Sequence, residues 1–377
     1  MEIYLVGGAV RDRLLDLPVA ERDWVVVGAT PDEMLAQGYT QVGKDFPVFL
    51  HPDSKEEYAL ARTERKTGHG YTGFDVCAGP DVTLEDDLQR RDLTINAMAE
   101  NAGGELVDPC GGAEDLANGV LRHVSPAFVE DPVRILRVAR FAARFAHYGF
   151  HVAHETNVLM REMVAAGEVD YLVPERVWAE LVKALGTRTP TRFFDVLSGC
   201  NALPMLFPRL VTRYADDTAH GDDSIRLPVL AAACDLSDAT GVRFAALACD
   251  MNGDGDWLDD FCAQYKVPNS YRQLALLATR YRQPVHEFAT LSAEEVLEVL
   301  EGLDAFRRGE RIRDFLQVCE ADARSTNPGS TDYPQAQQLR GALAAAVNVE
   351  VDTGKKSGKE IGEAIRQARI EAISKTL

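Results

Sequence analysis

The residue pattern changes near Ser125, and this change constrains the fold more than any other feature of the 377-residue chain. Before Ser125, apolar runs typical of strands alternate with helical patterns and glycine-rich turn signals. After it, strand signals largely disappear and helical periodicity continues to the last residues. The pattern predicts a small α/β or α+β head followed by helical structure. The strand-type runs lie at 3–6, 24–27, 47–50 and 57–61, and the helical patterns of the head at 10–17, 31–36 and 84–99.

Short polar or glycine-containing breaks divide the helical part into segments. At least three helical segments are expected between 130 and 210, and further helices fill the rest of the chain. The breaks fall at Gly149, 167–174, 186–190, 216–224, 252–256 and 325–333.

Composition excludes several classes of protein. No run of about 18 apolar residues and no signal-peptide pattern is present, so neither a membrane span nor secretion is expected. The seven cysteines are scattered and form no Cys-x-x-Cys pair, which argues against disulfides or a zinc cluster and fits a reducing cytoplasm. The net charge of -19 weighs against a general nucleic-acid binder, so contact with RNA requires a locally basic surface.

The segment 4–12 is typical of a strand, a diglycine turn and the start of a helix. Gly7 and Gly8 let backbone N–H groups approach an anion closely, and the helix N-terminus adds a partial positive charge. Arg11, one turn into the helix, is placed to pair with phosphate oxygens. A tight turn without a ligand explains the diglycine equally well, because the chain lacks both Gly-x-Gly-x-x-Gly and a P-loop here.

Two carboxylates, Glu21 and Asp23, stand at the start of the next apolar run. A spacing of two residues points both to the same side of a strand. Adjacent carboxylates repel one another unless a cation lies between them, and their oxygens suit Mg²⁺, which also binds substrate phosphates. Together with the diglycine and Arg11, the pair predicts nucleotidyl transfer to a 3′-hydroxyl with release of pyrophosphate. A pair of solvated edge charges is the alternative.

The run 88–98 is predicted to be helical and carries three polar candidates for nucleotide binding. Arg91 would neutralise a triphosphate, and Asn96 would orient a ribose hydroxyl or the arginine. Asp92 belongs to the same group. An Arg/Asp pair on a helix surface is the alternative.

A stripe of arginines follows on the helix that is predicted to begin near Pro132. Arg134, Arg137 and Arg140 recur every three residues, so they line one face opposite an apolar face. Asp131 precedes Arg134 by one turn. Since a carboxylate accepts hydrogen bonds and a guanidinium donates them, this pair matches the base edges of cytosine and adenine but not those of uracil and guanine. Arg137 and Arg140 would bind triphosphate or the RNA end. A plain helix N-cap at Asp131 is the alternative.

The order of these strings resembles that of bacterial tRNA nucleotidyltransferases (class II CCA-adding enzymes), in particular those of gammaproteobacterial type. The resemblance is dense over about 1–210 and thins afterwards. Six ordered motifs carry it: Gly7–Asp12, Glu21–Trp24, Ala61–Phe74, Arg90–Ala97, Glu130–Arg134 and Pro174–Val177.

The resemblance implies an α+β fold with a nucleotidyltransferase head of the DNA-polymerase-β type at 1–128, built on a small mixed sheet. A helical neck at 129–210 and a helical body and tail at 211–377 would follow. The implied activity is growth of the 3′-CCA end of tRNA from CTP and ATP without a nucleic-acid template. Residues 62–74 match a loop thought to assist the switch from C to A.

The resemblance also implies site residues by position. Mg²⁺ binding falls to Glu21 and Asp23, and base reading to Asp131 and Arg134. Nucleotide binding falls to Gly8, Arg11, Arg91, Asp92, Asn96, Arg137 and Arg140.

Two departures from the family pattern affect function. The family usually has Asp where this chain has Glu21, whose longer side chain can still ligate Mg²⁺; Glu57 is a candidate third carboxylate. Many relatives carry a metal-dependent phosphohydrolase (HD) domain in the C-terminal half, and the histidine of its His-Asp pair is Cys249 here. We therefore expect no phosphohydrolase activity. Lysines 355, 356 and 359 precede a helix expected at 360–372 and are either phosphate contacts or solvated charges.

Three alternatives remain at this stage. A poly(A) polymerase, or an enzyme that adds only CC or only A, shares the head, although the loop at 62–74 favours full CCA addition. A non-catalytic RNA-binding relative is motivated by Glu21 and Cys249, and Mg²⁺-dependent turnover of CTP distinguishes it. A dinucleotide-dependent oxidoreductase conflicts with the missing Gly-x-Gly-x-x-Gly motif.

Overall fold

The computed structural model describes residues 1–42, 48–66, 74–210, 225–327, 329, 332–351 and 357–377. The chain packs into two compact units. The first comprises Met1–Glu180 with Arg192–Leu206, and the second comprises Leu181–Thr191 with Phe207–Leu377. The boundaries of head, neck and body expected at 128 and 210 stay a prediction.

A mixed sheet forms the base of the first unit. Its strand order is β3-β4-β5-β2-β1-β8-β9, in which β2 and β5 are parallel and the other neighbours antiparallel. β6 and β7 form a separate antiparallel pair, and β10 pairs in parallel with β11. The strands are β1 (Glu2–Val6), β2 (Asp23–Val27), β3 (Thr40–Val42), β4 (Val48–Leu50), β5 (Glu57–Leu60), β6 (Arg62–Lys66), β7 (Phe74–Ala78), β8 (Ala99–Glu100), β9 (Leu106–Val107), β10 (Val120–Leu121) and β11 (His151–Val152). The strand-type runs predicted from the sequence are thus confirmed.

The register of the sheet brings polar strand ends to one edge. Val6, the last residue of β1, pairs with Asp23, the first of β2. Asp23 in turn pairs with Glu57, the first of β5. The apolar residues that follow, such as Val25, are buried in the core. The diglycine turn after β1 and the acidic starts of β2 and β5 therefore share this edge.

Helices complete the first unit and confirm the segments expected between 130 and 210. The two-residue strand β11 is the one departure, within the described residues, from an all-helical neck. The helices are α1 (Gly8–Leu14), α2 (Pro31–Ala36), α3 (Leu84–Gln89), α4 (Gly112–Asn118), α5 (Val133–Phe145), α6 (His154–Ala165), α7 (Pro174–Leu185), α8 (Thr191–Gly199) and α9 (Leu203–Leu206), of which α7 continues into the second unit.

The helix predicted over 84–99 is wrong beyond α3, because the chain leaves the helix after Gln89. A short 3₁₀ turn at Thr94–Asn96 and then β8 follow. The Thr94 N–H bonds to a distant segment instead of one turn back, since it donates to the Arg122 carbonyl at 2.9 Å. The Asp92 carboxylate accepts the next N–H, that of Leu93, at 2.8 Å, which also competes with helix formation.

The second unit is helical and packs around a core that includes Phe315, Leu300 and Leu339. The breaks expected at 252–256 and, over its described residues, at 325–333 are confirmed, whereas 216–224 and lysines 355 and 356 lie outside the described residues. No helix in the described ranges has the length and apolar character to cross a membrane. The helices are α10 (Pro228–Leu236), α11 (Thr240–Met251), α12 (Gly255–Gln264), α13 (Asn269–His286), α14 (Ala293–Gly302), α15 (Gly309–Thr326), α16 (Pro334–Val347) and α17 (Gly358–Ser374).

Asp250, the residue after Cys249, caps a helix in this unit. Its carboxylate is fully buried and accepts the backbone N–H groups of Val229 at 3.2 Å and Leu230 at 2.9 Å, in the first turn of α10. Helix N-termini carry unpaired N–H groups and a partial positive charge. A carboxylate there accepts hydrogen bonds from these groups and offsets the charge. Asp250 thereby joins the end of α11 to the start of α10.

Asp250→Ala should lower the free energy of unfolding by roughly 2–3 kcal/mol, because two buried N–H groups lose their acceptor. Urea unfolding of the full chain, followed by circular dichroism, measures the change. Asp256→Ala is the control, since Asp256 is exposed on α12 and its loss should leave stability nearly unchanged. Equal effects of the two variants would contradict the capping role.

Candidate active site

The diglycine turn is shaped around an arginine. Gly7 adopts φ +68°, a conformation that favours glycine, and its N–H donates to the Met98 carbonyl at 3.0 Å. A Cβ built on Gly7 would lie 2.8 Å from Nη1 of Arg91. Gly8 has a similar neighbour, because its Cβ would lie 3.4 Å from Nη2 of Arg11. The glycines therefore make room for guanidinium groups beside the turn.

The carboxylate pair predicted at Glu21 and Asp23 lies at the sheet edge described above. Both residues are exposed to solvent. Although Asp23 is exposed, neighbouring atoms partly desolvate its carboxylate and raise its pKa; the Arg91 guanidinium opposes this, and the Glu21 carboxylate raises the pKa further. A carboxylate crowded by another carboxylate is stabilised by a bound cation. Glu57, which pairs with Asp23 in the register of the sheet, also has an exposed side chain.

The chemistry of this edge fits a divalent metal in part. Two carboxylates supply the hard oxygen ligands that Mg²⁺ prefers. Among the described residues, no three Asp, Glu, His or Cys side chains form a group that holds a metal ion by itself. Mg²⁺ usually keeps water and substrate phosphates in its shell, so two protein carboxylates are compatible with a site that a nucleotide completes.

Arg91 is fixed by a carboxylate that the sequence analysis overlooked. Asp87 is fully buried and accepts from Nη2 of Arg91 at 3.1 Å and from Nη2 of Arg90 at 2.7 Å. Burial alone would raise the pKa of Asp87, but the charges of Arg91 and Arg90 outweigh it and lower the pKa. Arg90 also donates to the Arg62 carbonyl at 3.1 Å. Asp87 thus connects the diglycine turn, through Arg91, to the start of β6.

Arg11 is buried rather than open to a ligand. Its side chain donates to Oδ1 of Asp12 from Nε at 2.8 Å and contacts the Asn96 amide oxygen. The guanidinium carbon lies 5.1 Å from the ring centre of Phe141 and 5.2 Å from that of Phe145. Burial lowers the pKa of Arg11 although Asp12 opposes this. The phosphate contact expected of Arg11 stays a prediction.

Asp92 ties the segment 90–97 to α5. Its carboxylate accepts from Nε of Arg137 at 2.6 Å and from Nδ2 of Asn96 at 3.0 Å. Burial would raise the pKa of Asp92, but Arg137 and Asn96 lower it well below its usual range. The side chain of Arg137 remains about one-third exposed, at 35%. Arg137 is therefore both anchored and accessible.

The pair predicted to read the base has separate partners. Asp131 receives both terminal nitrogens of Arg176, at 3.1 and 2.9 Å, and the Val133 N–H at 3.1 Å. Arg134 is buried and donates to the carbonyls of Ala127 at 3.0 Å and Arg90 at 2.6 Å. The side chains of Asp131 and Arg134 are therefore oriented by these partners and not by each other.

The remaining arginines of α5 also meet acidic partners. Nε of Arg140 donates to Glu180, and the guanidinium lies 4.1 Å from the ring centre of Phe141. Nη2 of Arg144 donates to Asp12 at 2.8 Å. The expected apolar face is present, but α5 is so enclosed that Arg134 and Arg140 are themselves buried. The arginine stripe therefore faces protein carboxylates and carbonyls over much of its length.

Three positioning residues were missed by the sequence analysis: Asp87, Arg176 and Glu180. Asp87 lies between the buried leucines 84 and 88, so an acid at the apolar spacing of α3 was an available signal. Arg176 stands inside a motif that was quoted without a role. No sequence pattern links Glu180 to Arg140, which is 40 residues away.

Two family models match the chain. One, "Poly A polymerase head domain", covers residues 3–122. The other, "Probable RNA and SrmB-binding site of polymerase A", covers residues 149–212. With the mixed sheet, the diglycine turn and the paired acids, they define the chain as a nucleotidyltransferase of the poly(A) polymerase head type.

Full-length relatives specify the family. The chain is 53% identical to the Multifunctional CCA protein of Thioalkalivibrio sulfidiphilus, over 99% of this chain and 98% of the relative. It is 52% identical to the protein of the same name from Nitrosococcus oceani, over 100% and 99% of the two chains. The chain belongs to the multifunctional CCA protein family, and it is a CCA tRNA nucleotidyltransferase.

Solved structures agree with this fold. The Bacillus stearothermophilus CCA-adding enzyme in complex with CTP superposes with a TM-score of 0.70 at 24% identity, covering 99% of this chain and 88% of the other. The Thermotoga maritima CCA-adding enzyme complexed with tRNA gives 0.67 at 21% identity, covering 99% and 87%. The predicted α+β architecture is confirmed.

Asp87→Asn should raise the KM for CTP and ATP by roughly tenfold, because Arg91 and Arg90 lose the charge that positions them, at a cost of about 3 kcal/mol in stability. Steady-state assays at saturating RNA, below the unfolding temperature of the variant, measure the change. Glu85→Gln removes the same charge from the exposed face of α3 and should leave the KM unchanged. A lower kcat with an unchanged KM would contradict the positioning role.

Proposed function

We propose that this enzyme adds the 3′-terminal CCA of tRNA, and repairs that end, using CTP and then ATP without a template. The observation that carries the proposal is the 53% sequence identity to a multifunctional CCA protein over almost the full length of both chains. The arrangement of the site supports it, because paired acids, a diglycine turn and anchored arginines meet the needs of nucleotidyl transfer. The seven cysteines are free thiols, which suits a reducing compartment, and we place the enzyme in the cytoplasm.

Glu21 and Asp23 are the residues that would hold Mg²⁺. The family is generally dependent on a divalent metal, which would activate the attacking hydroxyl and offset charge on the leaving pyrophosphate. The 3′-hydroxyl of the RNA attacks the α-phosphate, the bond to the β-phosphate oxygen breaks, and pyrophosphate leaves. Arg91 and Arg137 would neutralise the triphosphate, since both are held by buried carboxylates and retain exposed surface.

Base selection would fall to Asp131 and Arg134. An ionised carboxylate offers about four acceptor positions, of which Arg176 and the Val133 N–H occupy three. The remaining position suits the exocyclic N–H of cytosine or adenine. Arg134 would donate to the neighbouring ring nitrogen. Arg176 orients the carboxylate for this contact without touching the base.

Four residues would support nucleotide binding by positioning the groups of the triphosphate pocket: Gly8, Arg11, Asp92 and Asn96. Arg11 and Asn96 contact each other, and Asn96 and Asp92 are joined by a 3.0 Å hydrogen bond. This chain of contacts connects the diglycine turn to Arg137. We assign these residues to positioning of the triphosphate pocket, together with Arg140, which lies on the same helix, α5, as Arg137.

We propose that phosphohydrolase activity is absent, although the family is called multifunctional. Cys249 stands at the histidine position of the His-Asp pair and is buried. Asp250 is committed to capping α10. His286 is held by Asp322 at 3.0 Å and Tyr333 at 2.9 Å. The helical neck at 129–210 and the body and tail at 211–377 would then serve RNA binding.

A tRNA transcript that lacks its last three nucleotides tests the activity directly. Incubation with Mg²⁺ and all four nucleotides, followed by sequencing of the 3′ ends, should give CCA with no further growth. Glu21→Gln should slow addition at least a hundredfold, whereas Glu21→Asp should retain it. Homopolymeric A tails would indicate a poly(A) polymerase, a stop at CC a partial enzyme, and unchanged ends a binding protein.

Arg134→Ala should reduce discrimination of CTP over UTP by roughly tenfold to a hundredfold, because the donor to the ring nitrogen is lost. The ratio of kcat/KM for the two nucleotides is the measurement. Arg144→Ala is the matched control on α5 and should leave that ratio unchanged. Slower addition with full CTP/UTP selectivity in Arg134→Ala would show that this arginine does not read the base.

A further inference from the structure

A cavity in the second unit combines two arginine side chains with hydroxyl groups. Its volume is about 510 Å³, and it lies where the chain between α7 and α8 meets α10 and the end of α15. The polar lining residues are Arg188, Thr189, Thr191, Arg324 and Ser325. Cys234 and Asp235, both on α10, complete the polar part of the wall.

The two arginines differ from those at the candidate active site. Arg188 is exposed, and the part of the chain that the structure describes offers it no ion-pair or hydrogen-bond partner. Nη2 of Arg324 donates to Glu320 at 2.6 Å, but its Nε is buried and has no partner among the described residues. Buried donors are nearly always satisfied, so an unpaired one calls for a water or an ion.

Arg188 has no acidic partner among the described residues, and Arg324 keeps one donor unpaired, although the chain has 59 acidic and 40 basic residues. Every arginine of α5 has a carboxylate or carbonyl partner, whereas two guanidinium groups here converge on one cavity. Guanidinium groups with neighbouring hydroxyls match a phosphate, which offers several strong acceptor oxygens. Asp235 opposes such a ligand, since its carboxylate lines the same wall.

We propose that this cavity binds a backbone phosphate of the tRNA substrate, held between Arg188 and Arg324. The proposal rests on the proposed function. The segment 188–191 lies inside the region matched by the RNA-binding family model, at 149–212, and supplies four of the lining residues. A phosphate contact of this kind carries no sequence information, so it suits an enzyme that must accept many tRNAs.

Affinity and its dependence on salt test the contact. Arg188→Ala should weaken binding of a tRNA transcript lacking CCA by roughly threefold to tenfold, and should reduce the slope of log Kd against log salt by about one. Asp235→Asn should strengthen binding, because it removes the opposing charge. Arg340→Ala removes an equally exposed arginine of α16 and should change neither quantity.

Labelling at Cys234 locates the ligand in the cavity. Bound tRNA should slow alkylation of this partly exposed thiol, as measured by mass spectrometry, and Arg188→Ala should abolish the protection. This measurement needs no catalysis and does not depend on whether Arg324 variants fold. Unchanged tRNA affinity, salt slope and Cys234 protection in Arg188→Ala would overturn the site.

Inorganic phosphate distinguishes a free anion from RNA. If it stabilises the wild-type protein against heat but not Arg188→Ala, while the tRNA affinity of the variant is normal, the cavity binds a free anion and the RNA assignment is overturned. CCA addition by the wild type is scored separately. Normal addition with a failed cavity test refutes only the cavity, and failed addition with Arg188-dependent tRNA binding refutes only the activity.

Discussion

Buried pairs of carboxylate and guanidinium groups hold the candidate active site together. Taking either charge out of water alone would cost several kcal/mol, so each buried arginine needs an acid or carbonyl nearby. Asp87 supplies this charge to Arg91, Asp92 supplies it to Arg137, and Glu180 supplies it to Arg140. Such pairs are a weak source of stability, but they fix the angle of a planar, five-donor group. The result is a set of arginines oriented before any nucleotide arrives.

The same pairing explains how an acidic chain can handle a polyanion. A net charge of -19 repels RNA at long range, yet the field at a contact depends on nearby groups. At the candidate active site, carboxylates lie behind the arginines and neutralise part of their charge. Arg137 shows the balance, since Asp92 holds its Nε while over a third of the side chain reaches solvent. Selectivity then comes from placement of donors and acceptors more than from total charge.

Local chemistry made much of this architecture predictable, and long-range contacts made the rest unpredictable. Strands β1, β2, β4 and β5 and the helices between 130 and 210 follow from apolar spacing and turn residues, whereas the other strands of the head were not predicted. The helix predicted over 84–99 failed because the Thr94 N–H finds its acceptor in Arg122, a contact that no local pattern records. For the same reason Asp131 and Arg176 were both noticed in the sequence but not as partners. Spacing along the chain identified many of the acids and arginines but not Asp87 or Glu180, and the fold determined which of them meet.

Asp250 shows why a surviving motif residue is poor evidence for a surviving activity. In a His-Asp pair both residues would serve a metal, and the loss of the histidine to Cys249 would free the aspartate to drift. Here the carboxylate is buried and accepts hydrogen bonds from two backbone N–H groups at the start of α10. Its loss would leave those groups unpaired, which folding alone resists. The aspartate therefore has a structural reason to remain that is independent of any metal.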